Sequence, residues 1–405
     1  MHTYLVGGAV RDQLLGLPIC DRDWLVTGVT AEQLIARGYR QVGQDFPVFL
    51  HPQNAEEYAL PRGDGGDKSE QAQVCDDLVQ RDLTINAIAL SEDGRYIDPL
   101  NGRQDLQARL LRHTPTFRHD PIRVLRLARF AARLEPLGFQ LADETRQLVR
   151  QMAADGELDQ LVPERVWSEI VRALQAPDPA IFFETLRDLG ALQPILPELD
   201  RLFGVLQPAR HHPEIDTGVH CLMVLRQACA LSPEPETRLA ALLHDLGKGT
   251  TPKAEWPSHH GHEQRGAKLV DRLCERLRIP NRARDLCRLV AEYHTHCHRA
   301  FELKPATLLR TLQKLDALRR HERLDQFLLA CEADARGRLG FEQQAYPQAD
   351  YFKAVQQAAA AVDTATLAGR ADNQQMIPEI IFQARSRAIA EAKKRWQRAE
   401  NHAER

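Results

Sequence analysis

The chain has 405 residues, 43% of them apolar and 27% charged, with a formal net charge of −3. That length suits about two to four domains with cores of their own, and the near-balanced charge excludes a surface that binds polyanions nonspecifically, so any nucleic-acid contact needs local basic patches. No run of 18 apolar residues is present, which leaves no expected membrane span. The opening MHTYLVGG lacks the basic-then-apolar layout of a secretion signal. The eight cysteines are irregularly spaced and form no Cys-x-x-Cys pair. A cytoplasmic protein with reduced thiols is expected; monomer and homodimer both stay open.

The first informative stretch is 5–27, LVGGAVRDQLLGLPICDRDWLVT. An apolar strand runs into Gly7-Gly8, a helical pattern follows (Val10, Leu14, Leu15) and ends at Gly16. A second strand is expected to open with Asp21-Arg22-Asp23. Residues two apart on a strand share a face, so the two carboxylates would stand together and repel each other unless a cation sat between them. Hard oxygen ligands favour Mg²⁺. The glycine pair lets backbone approach a phosphate, and the following helix start offers N–H groups to an anion. A lone Asp-x-Asp is usually a solvated turn, and a lone Gly-Gly a tight turn. With twelve residues between Gly8 and Asp21, the combination resembles the signature of the nucleotidyltransferase superfamily that includes DNA polymerase β.

Further along, 31–37 reads as a helix and 48–51 and 57–62 as strands. Residues 63–73, GDGGDKSEQAQ, read as a flexible loop by composition. Glu57 and Asp64 are candidates for a third carboxylate. The apolar run LTINAIAL carries Arg81 and Asp82 at its head. The planar fork of an arginine suits a triphosphate, although alone the two read as a structural ion pair at a helix start. At His119-Asp120-Pro121 a helix is expected to begin, with Asp120 as N-cap and Pro121 in the first turn. On it Arg123, Arg126, Arg129 and Arg133 fall within about one third of the circumference, with no acidic partner inside the helix. Such a row reads either as a solvated basic face or as an unpaired row of guanidinium groups for triphosphate or RNA.

In this order, GGAVRDxLLG, DRDWLV, DDLxxRDLTINA and DPIRVLRLARFA resemble the head of the bacterial CCA-adding enzymes, the class II tRNA nucleotidyltransferases. PERVWSE (163–169), FFETLRDLGALQPILPEL (182–199), HHPEIDTGVH (211–220), LLHDLGKG (242–249) and EADARGR (332–338) extend the likeness over nearly the whole chain. The resemblance implies CCA addition to tRNA 3′ ends from CTP and ATP, with Gly8, Arg11, Arg81, Arg126 and Arg129 contacting ATP or CTP and Asp21 and Asp23 holding Mg²⁺. It also implies that an acid and an arginine read the incoming base. Glu164 and Arg165 are candidates, with capping of a neck helix as their alternative role. The segment between the Asp pair and Arg81-Asp82 looks shorter than in close relatives. In this family a shortened loop accompanies enzymes that stop after CC, which is the alternative reading. Phe182-Phe183 reads as core.

A second constellation begins at His220, with His244-Asp245 at the end of LAALLHDLGKG. Adjacent His and Asp at a helix end can turn to one metal, and a distant His can complete the set. The pattern resembles the HD phosphohydrolase superfamily, implying a site for Ni²⁺ or another divalent transition metal with phosphatase, 2′,3′-cyclic phosphodiesterase or 2′-nucleotidase activity. Asp334 is a candidate fourth ligand. His259, His260 and His262, and His294, His296 and His298, are candidates to line the site. Ile377 to Arg398 reads as an amphipathic helix ending in Lys393, Lys394, Arg395 and Arg398, either a solvated tail or, by the resemblance, a tRNA contact. The expected fold is α+β: a polymerase β-like nucleotidyltransferase head with a mixed sheet (1–112), then an all-α neck and body (113–212), an all-α HD domain (213–340) and a helical tail (341–405).

Overall fold

The computed structural model describes residues 1–19, 21–42, 48–62, 68–369 and 373–403, and the side chains of these up to 399. The backbone divides into two compact units, one of 1–161 and 181–194, the other of 162–180 and 195–405.

The first unit is built on a seven-stranded sheet. Its strands are β1 (His2–Val6), β2 (Asp23–Thr27), β3 (Arg40–Val42), β4 (Val48–Leu50), β5 (Glu57–Ala59), β6 (Ala89–Ser91) and β7 (Tyr96–Ile97), in the order β3-β4-β5-β2-β1-β6-β7. Only β2 and β5 run parallel, so the sheet is mixed. Val6, Leu25, Ala87 and Ala89 meet Val74 and Leu78 of the helix Glu70–Val79 in a buried cluster. Each buried Val or Leu contributes roughly 1.5–3 kcal/mol. This helix corrects the loop reading. Ser69 caps it by accepting from the Ala72 N–H, so 70–73 are helical despite their polar composition; Asp64 lies outside the described residues. Phe182 and Phe183 are fully buried with their rings edge to face, 5.0 Å apart, and are core as expected.

The basic helix spans Arg123–Leu134 and buries Val124, Leu125, Leu127, Ala128 and Ala131. It starts later than expected. Asp120 is extended and its carbonyl accepts from Arg123 N–H, as at a helix entry, and Pro121 and Ile122 form a turn ahead of the regular helix.

The second unit is helical, with no extended strand among its described residues. Helices Thr217–Leu231, Pro235–Leu243, His262–Arg276, Asn281–His298 and His321–Arg336 pack on one another. Two glycines permit the closest approaches. A Cβ on Gly247 would collide with the backbone carbonyl of His262, and one on Gly337 with Val224. The last helix, Ile377–Ala403, packs on Pro347–Ala360 and Pro305–Lys314. Trp396 joins Tyr351 and Phe301 there. Lys393 is not a free basic residue: its ammonium donates to the carbonyls of Phe301 (2.6 Å) and Leu303 (2.9 Å). Lys394, Arg395 and Arg398 are exposed.

Candidate active sites

In the first unit β1 ends at Val6, whose register partner on β2 is Asp23. Asp23 faces Glu57 on β5 in the parallel register. Asp21 lies two residues before β2, not on it, because the strand begins at Asp23. The three carboxylates nevertheless act on one another. Burial and then the nearby charges of Asp23 and Asp21 push Glu57 up, and burial and Asp21 push Asp23 up against the opposing pull of Arg81 and Arg126. A group of carboxylates that raise one another is receptive to a hard cation.

The arginines surround this spot. Gly7 has φ 69°, and a Cβ placed on it would come within 2.6 Å of Arg81 Nη1, so the guanidinium lies directly on the glycine turn. Arg81 also pairs with Asp77, Nη2 to Oδ2 at 3.1 Å. Gly8 opens the helix Gly8–Leu14, and Arg11 Nη2 lies 3.5 Å from where its Cβ would stand. Arg11 is only 2% exposed; it donates to Asp12 Oδ1 at 2.8 Å and Asn86 Oδ1 at 2.7 Å.

The basic row is not unpaired, which corrects one of its two sequence readings. Arg126 donates to Asp82 at 2.7 Å and Arg133 to Asp12 at 2.9 Å. Arg123 donates to the carbonyls of Thr116 (2.7 Å) and Gln80 (2.5 Å), and Arg129 stacks on Phe130 at 4.6 Å. Arg81 and Asp82 do not pair with each other. Asp82 is buried, accepts from the Asn86 amide (3.0 Å) and the Leu83 N–H (2.8 Å), and takes Arg126. Burial works to raise its carboxyl, but Arg126 and these donors win and hold it below the usual range.

In the second unit His220 comes from the first turn of Thr217–Leu231, and His244-Asp245 cap the end of Pro235–Leu243. The structure brings them together with Asp334 of His321–Arg336. His220 Nε2 is 3.1 Å from Asp334 Oδ1 and 4.0 Å from Asp245 Oδ2; His244 Nε2 is 3.1 Å from Asp245 Oδ2 and 3.5 Å from Asp334 Oδ1. All four are buried. Both carboxylates are held well below their usual range: burial opposes this, and His244 leads the groups that outweigh it at each. Burial lowers His220, but Asp334 and Glu214 outweigh it and hold the imidazole up at about 9. His244 Nε2 and Asp245 Oδ1 have no well-directed hydrogen-bond partner. Buried polar atoms without partners are costly, and these converge as ligands of a divalent cation do.

Of the other candidate histidines, His262, His294 and His298 join the cluster. His296 turns to the Thr311 hydroxyl, His259 to the Leu206 carbonyl, and His260 is exposed. Sequence reasoning missed Lys248, 2.5 Å from Asp245 Oδ2 and 2.6 Å from Gln207 Oε1. It also missed Glu214, which pairs with both His212 and His220 at 3.0 Å. Both lie inside quoted motifs, LLHDLGKG and HHPEIDTGVH, and a charged residue beside the candidate histidines was the available signal.

A mixed sheet with a carboxylate and arginine centre, followed by a helical bundle around a His/Asp cluster, defines a nucleotidyltransferase that carries an HD domain. The sequence model for the poly A polymerase head domain matches 3–112, that for a probable RNA- and SrmB-binding site of polymerase A matches 138–203, and the HD domain matches 217–327. A multifunctional CCA protein of Thioalkalivibrio sulfidiphilus is 56% identical over 407 residues, covering 98% of this chain and 100% of that one. One of Pseudomonas aeruginosa is 54% identical over 401 residues, covering 96% and 98%. The chain belongs to this family of multifunctional CCA proteins. In fold it is similar to a CCA-adding enzyme solved with CTP (TM-score 0.65, 18% identity, 96% and 87% covered) and to the Thermotoga maritima CCA-adding enzyme solved with tRNA (TM-score 0.62, 16% identity, 96% and 90% covered). No helix among the described residues is long and apolar enough to cross a membrane. The polymerase head and the HD cluster imply the use of divalent metal.

Proposed function

We propose that the first unit adds CCA to tRNA 3′ ends from CTP and ATP without a template strand, and that the HD cluster hydrolyses phosphoesters. One observation carries the first reading: Asp23 faces Glu57 in register, with the charge of Asp21 acting on both, and Arg81 and Arg126 act on Asp23. Asp21 and Asp23 would hold Mg²⁺. Bound there, the ion lowers the pKa of a hydroxyl and balances charge on a pyrophosphate leaving group. The glycine turn at Gly7-Gly8 lets the triphosphate reach the backbone. Arg81, Arg126 and Arg129 bind and orient it through charge-assisted hydrogen bonds. Arg11, lying against Gly8, meets the nucleotide from behind the turn while keeping the Asn86 segment in place. The RNA is held by its backbone and shape rather than its sequence.

Full CCA addition is favoured over the CC-stopping alternative. A relative called a multifunctional CCA protein aligns over 98% of this chain and 100% of its own length, which supports the full activity. CCA-adding enzymes of this fold have been solved one with CTP, one with ATP and one with tRNA, which supports the same partners here.

At the HD cluster, His220, His244, Asp245 and Asp334 would hold the metal, and a donor set with two imidazoles beside two carboxylates suits Ni²⁺ or another transition metal better than Mg²⁺. Such an ion supplies a water nucleophile at neutral pH. Lys248 places a cation beside Asp245 that can meet a phosphate.

Two single substitutions test the pair of assignments. Asp21→Ala is expected to abolish nucleotide incorporation and leave hydrolysis of a 2′,3′-cyclic nucleotide intact, and His244→Ala to do the reverse. Loss of both activities in both variants would contradict the two-site reading.

A further inference from the structure

Arg11 and Arg126 stand on different helices, Gly8–Leu14 and Arg123–Leu134, yet a short run of side chains joins them. Asn86 Oδ1 accepts from Arg11 Nη1 at 2.7 Å, and Asn86 Nδ2 donates to Asp82 Oδ1 at 3.0 Å. The other oxygen of Asp82 accepts from Arg126 Nε at 2.7 Å. On the far side of Arg11, Asp12 Oδ1 accepts from its Nε at 2.8 Å, and Asp12 Oδ2 accepts from Arg133 Nη2 at 2.9 Å. Arg126 and Arg133 are about two turns apart on one helix. The bonds therefore close a ring that leaves the basic helix at Arg126, passes through Asp82, Asn86, Arg11 and Asp12, and returns at Arg133.

Arg11, Asp12, Asp82 and Asn86 are all buried. An arginine only donates and an ionised carboxylate only accepts, so the member between Arg11 and Asp82 has to accept on one side and donate on the other. An amide does both. A carboxylate there would set a second negative charge against Asp82, and an aliphatic side chain would leave Arg11 and Asp82 each short of a buried partner. The turn itself does not need the amide. The Asn86 N–H donates to the Leu83 carbonyl at 3.0 Å, the Thr84 N–H to the Arg112 carbonyl at 3.0 Å, and the Thr84 hydroxyl to Asp105 at 2.7 Å. What the amide does fix is the aim of Arg11. Its Nε and Nη1 are engaged by Asp12 and Asn86, its guanidinium lies 5.0 Å from the centre of the Phe130 ring, and Nη2 is the nitrogen beside Gly8.

We propose that Asn86 is a positioning residue for nucleotide binding, setting Arg11 and Arg126 at the spacing one triphosphate requires. The proposal rests on the reading of these two arginines as nucleotide contacts. Asn86 itself touches no phosphate; it acts through Arg11 on one side and through Asp82 and Arg126 on the other.

The test is steady-state incorporation by the full chain, with KM and kcat read separately for CTP and for ATP. Asn86→Asp keeps the shape and loses the donor, and Asn86→Leu loses both donor and acceptor. Each is expected to raise KM for both nucleotides about tenfold, the size of one charge-assisted hydrogen bond, with kcat changed much less. Asn86→Asp serves where Asn86→Leu fails to fold. Exchanging the two groups, Asp82→Asn with Asn86→Asp, rebuilds an acceptor for Arg11, a donor between the two side chains and an acceptor for Arg126. It costs the Leu83 N–H its acceptor, so KM should return to within about threefold of the parent rather than fully. Arg11→Gln and Arg126→Gln run alongside. A raised KM in the arginine variants with an unchanged KM in both Asn86 variants would overturn the proposal and leave the nucleotide reading standing. So would a lower kcat at unchanged KM, the mark of a smaller folded fraction, or an exchange no better than Asn86→Asp alone. An unchanged KM in the arginine variants would overturn the reading beneath it.

Discussion

At the scale of single residues, the head depends on carboxylates whose partners differ. Asp23 is raised by burial and by Asp21, and Glu57 by burial and by Asp23 and Asp21, whereas Asp82 is lowered by Arg126, Asn86 and the Leu83 amide. Removing Asp82 leaves Arg126 and the Asn86 amide without their acceptor. Asp82→Ala is therefore expected to cost about 2–3 kcal/mol in urea unfolding, less than for a fully buried pair because the Arg126 side chain is 36% exposed. A carboxylate whose folded pKa lies below its unfolded value near 4 contributes stability that is fully present above that value and is lost as pH falls through the folded pKa. The stability gap between the parent and Asp82→Asn should thus be constant from about pH 5 upward and shrink in more acidic solution. A gap that grew on acidification would contradict the assigned pairing.

At the scale of elements, the turn between β1 and the helix Gly8–Leu14 carries both backbone strain and a contact. Gly7→Ala is expected to lose roughly 1–2 kcal/mol from its left-handed backbone and also to displace Arg81, raising KM for CTP and ATP. Gly190, at φ 70° with nothing within 4 Å of its would-be Cβ, supplies the control. Gly190→Ala should carry a similar stability loss and leave KM unchanged. Equal KM in both variants would remove Arg81 from the nucleotide site. Gly247→Ala is the matching case in the HD bundle. Its methyl would push on the His262 carbonyl, so a loss of about 1–3 kcal/mol from overpacking and slower hydrolysis are expected, with nucleotide incorporation unaffected.

Much of this was legible in the sequence because it is local. The Gly-Gly turn, the helix after it, the second strand (expected to open at Asp21, observed from Asp23) and the apolar face of Arg123–Leu134 each follow from residues within one or two turns. The fate of the basic row was not legible, because its acids come from far along the chain: Asp82 is 44 residues from Arg126 and Asp12 is 121 from Arg133. The histidines show the same limit. His294 and His298 are four apart on one helix and share a face, a signal that could have separated them from His296. Nothing local pairs them with Asp245 and Asp334, which arrive on other helices.

At the scale of the whole molecule, the two chemistries occupy different compact units and use different donor sets, carboxylates in one and imidazoles with carboxylates in the other. That separation is why single substitutions should divide the activities. The most direct measurement is the length of product formed on a tRNA transcript lacking its 3′ CCA, with CTP alone and with CTP plus ATP. Extension by three nucleotides only when both are supplied, lost in Asp21→Ala and kept in His244→Ala, is the expected result. Arrest after two additions with ATP present, or extension that survives Asp21→Ala, would contradict it.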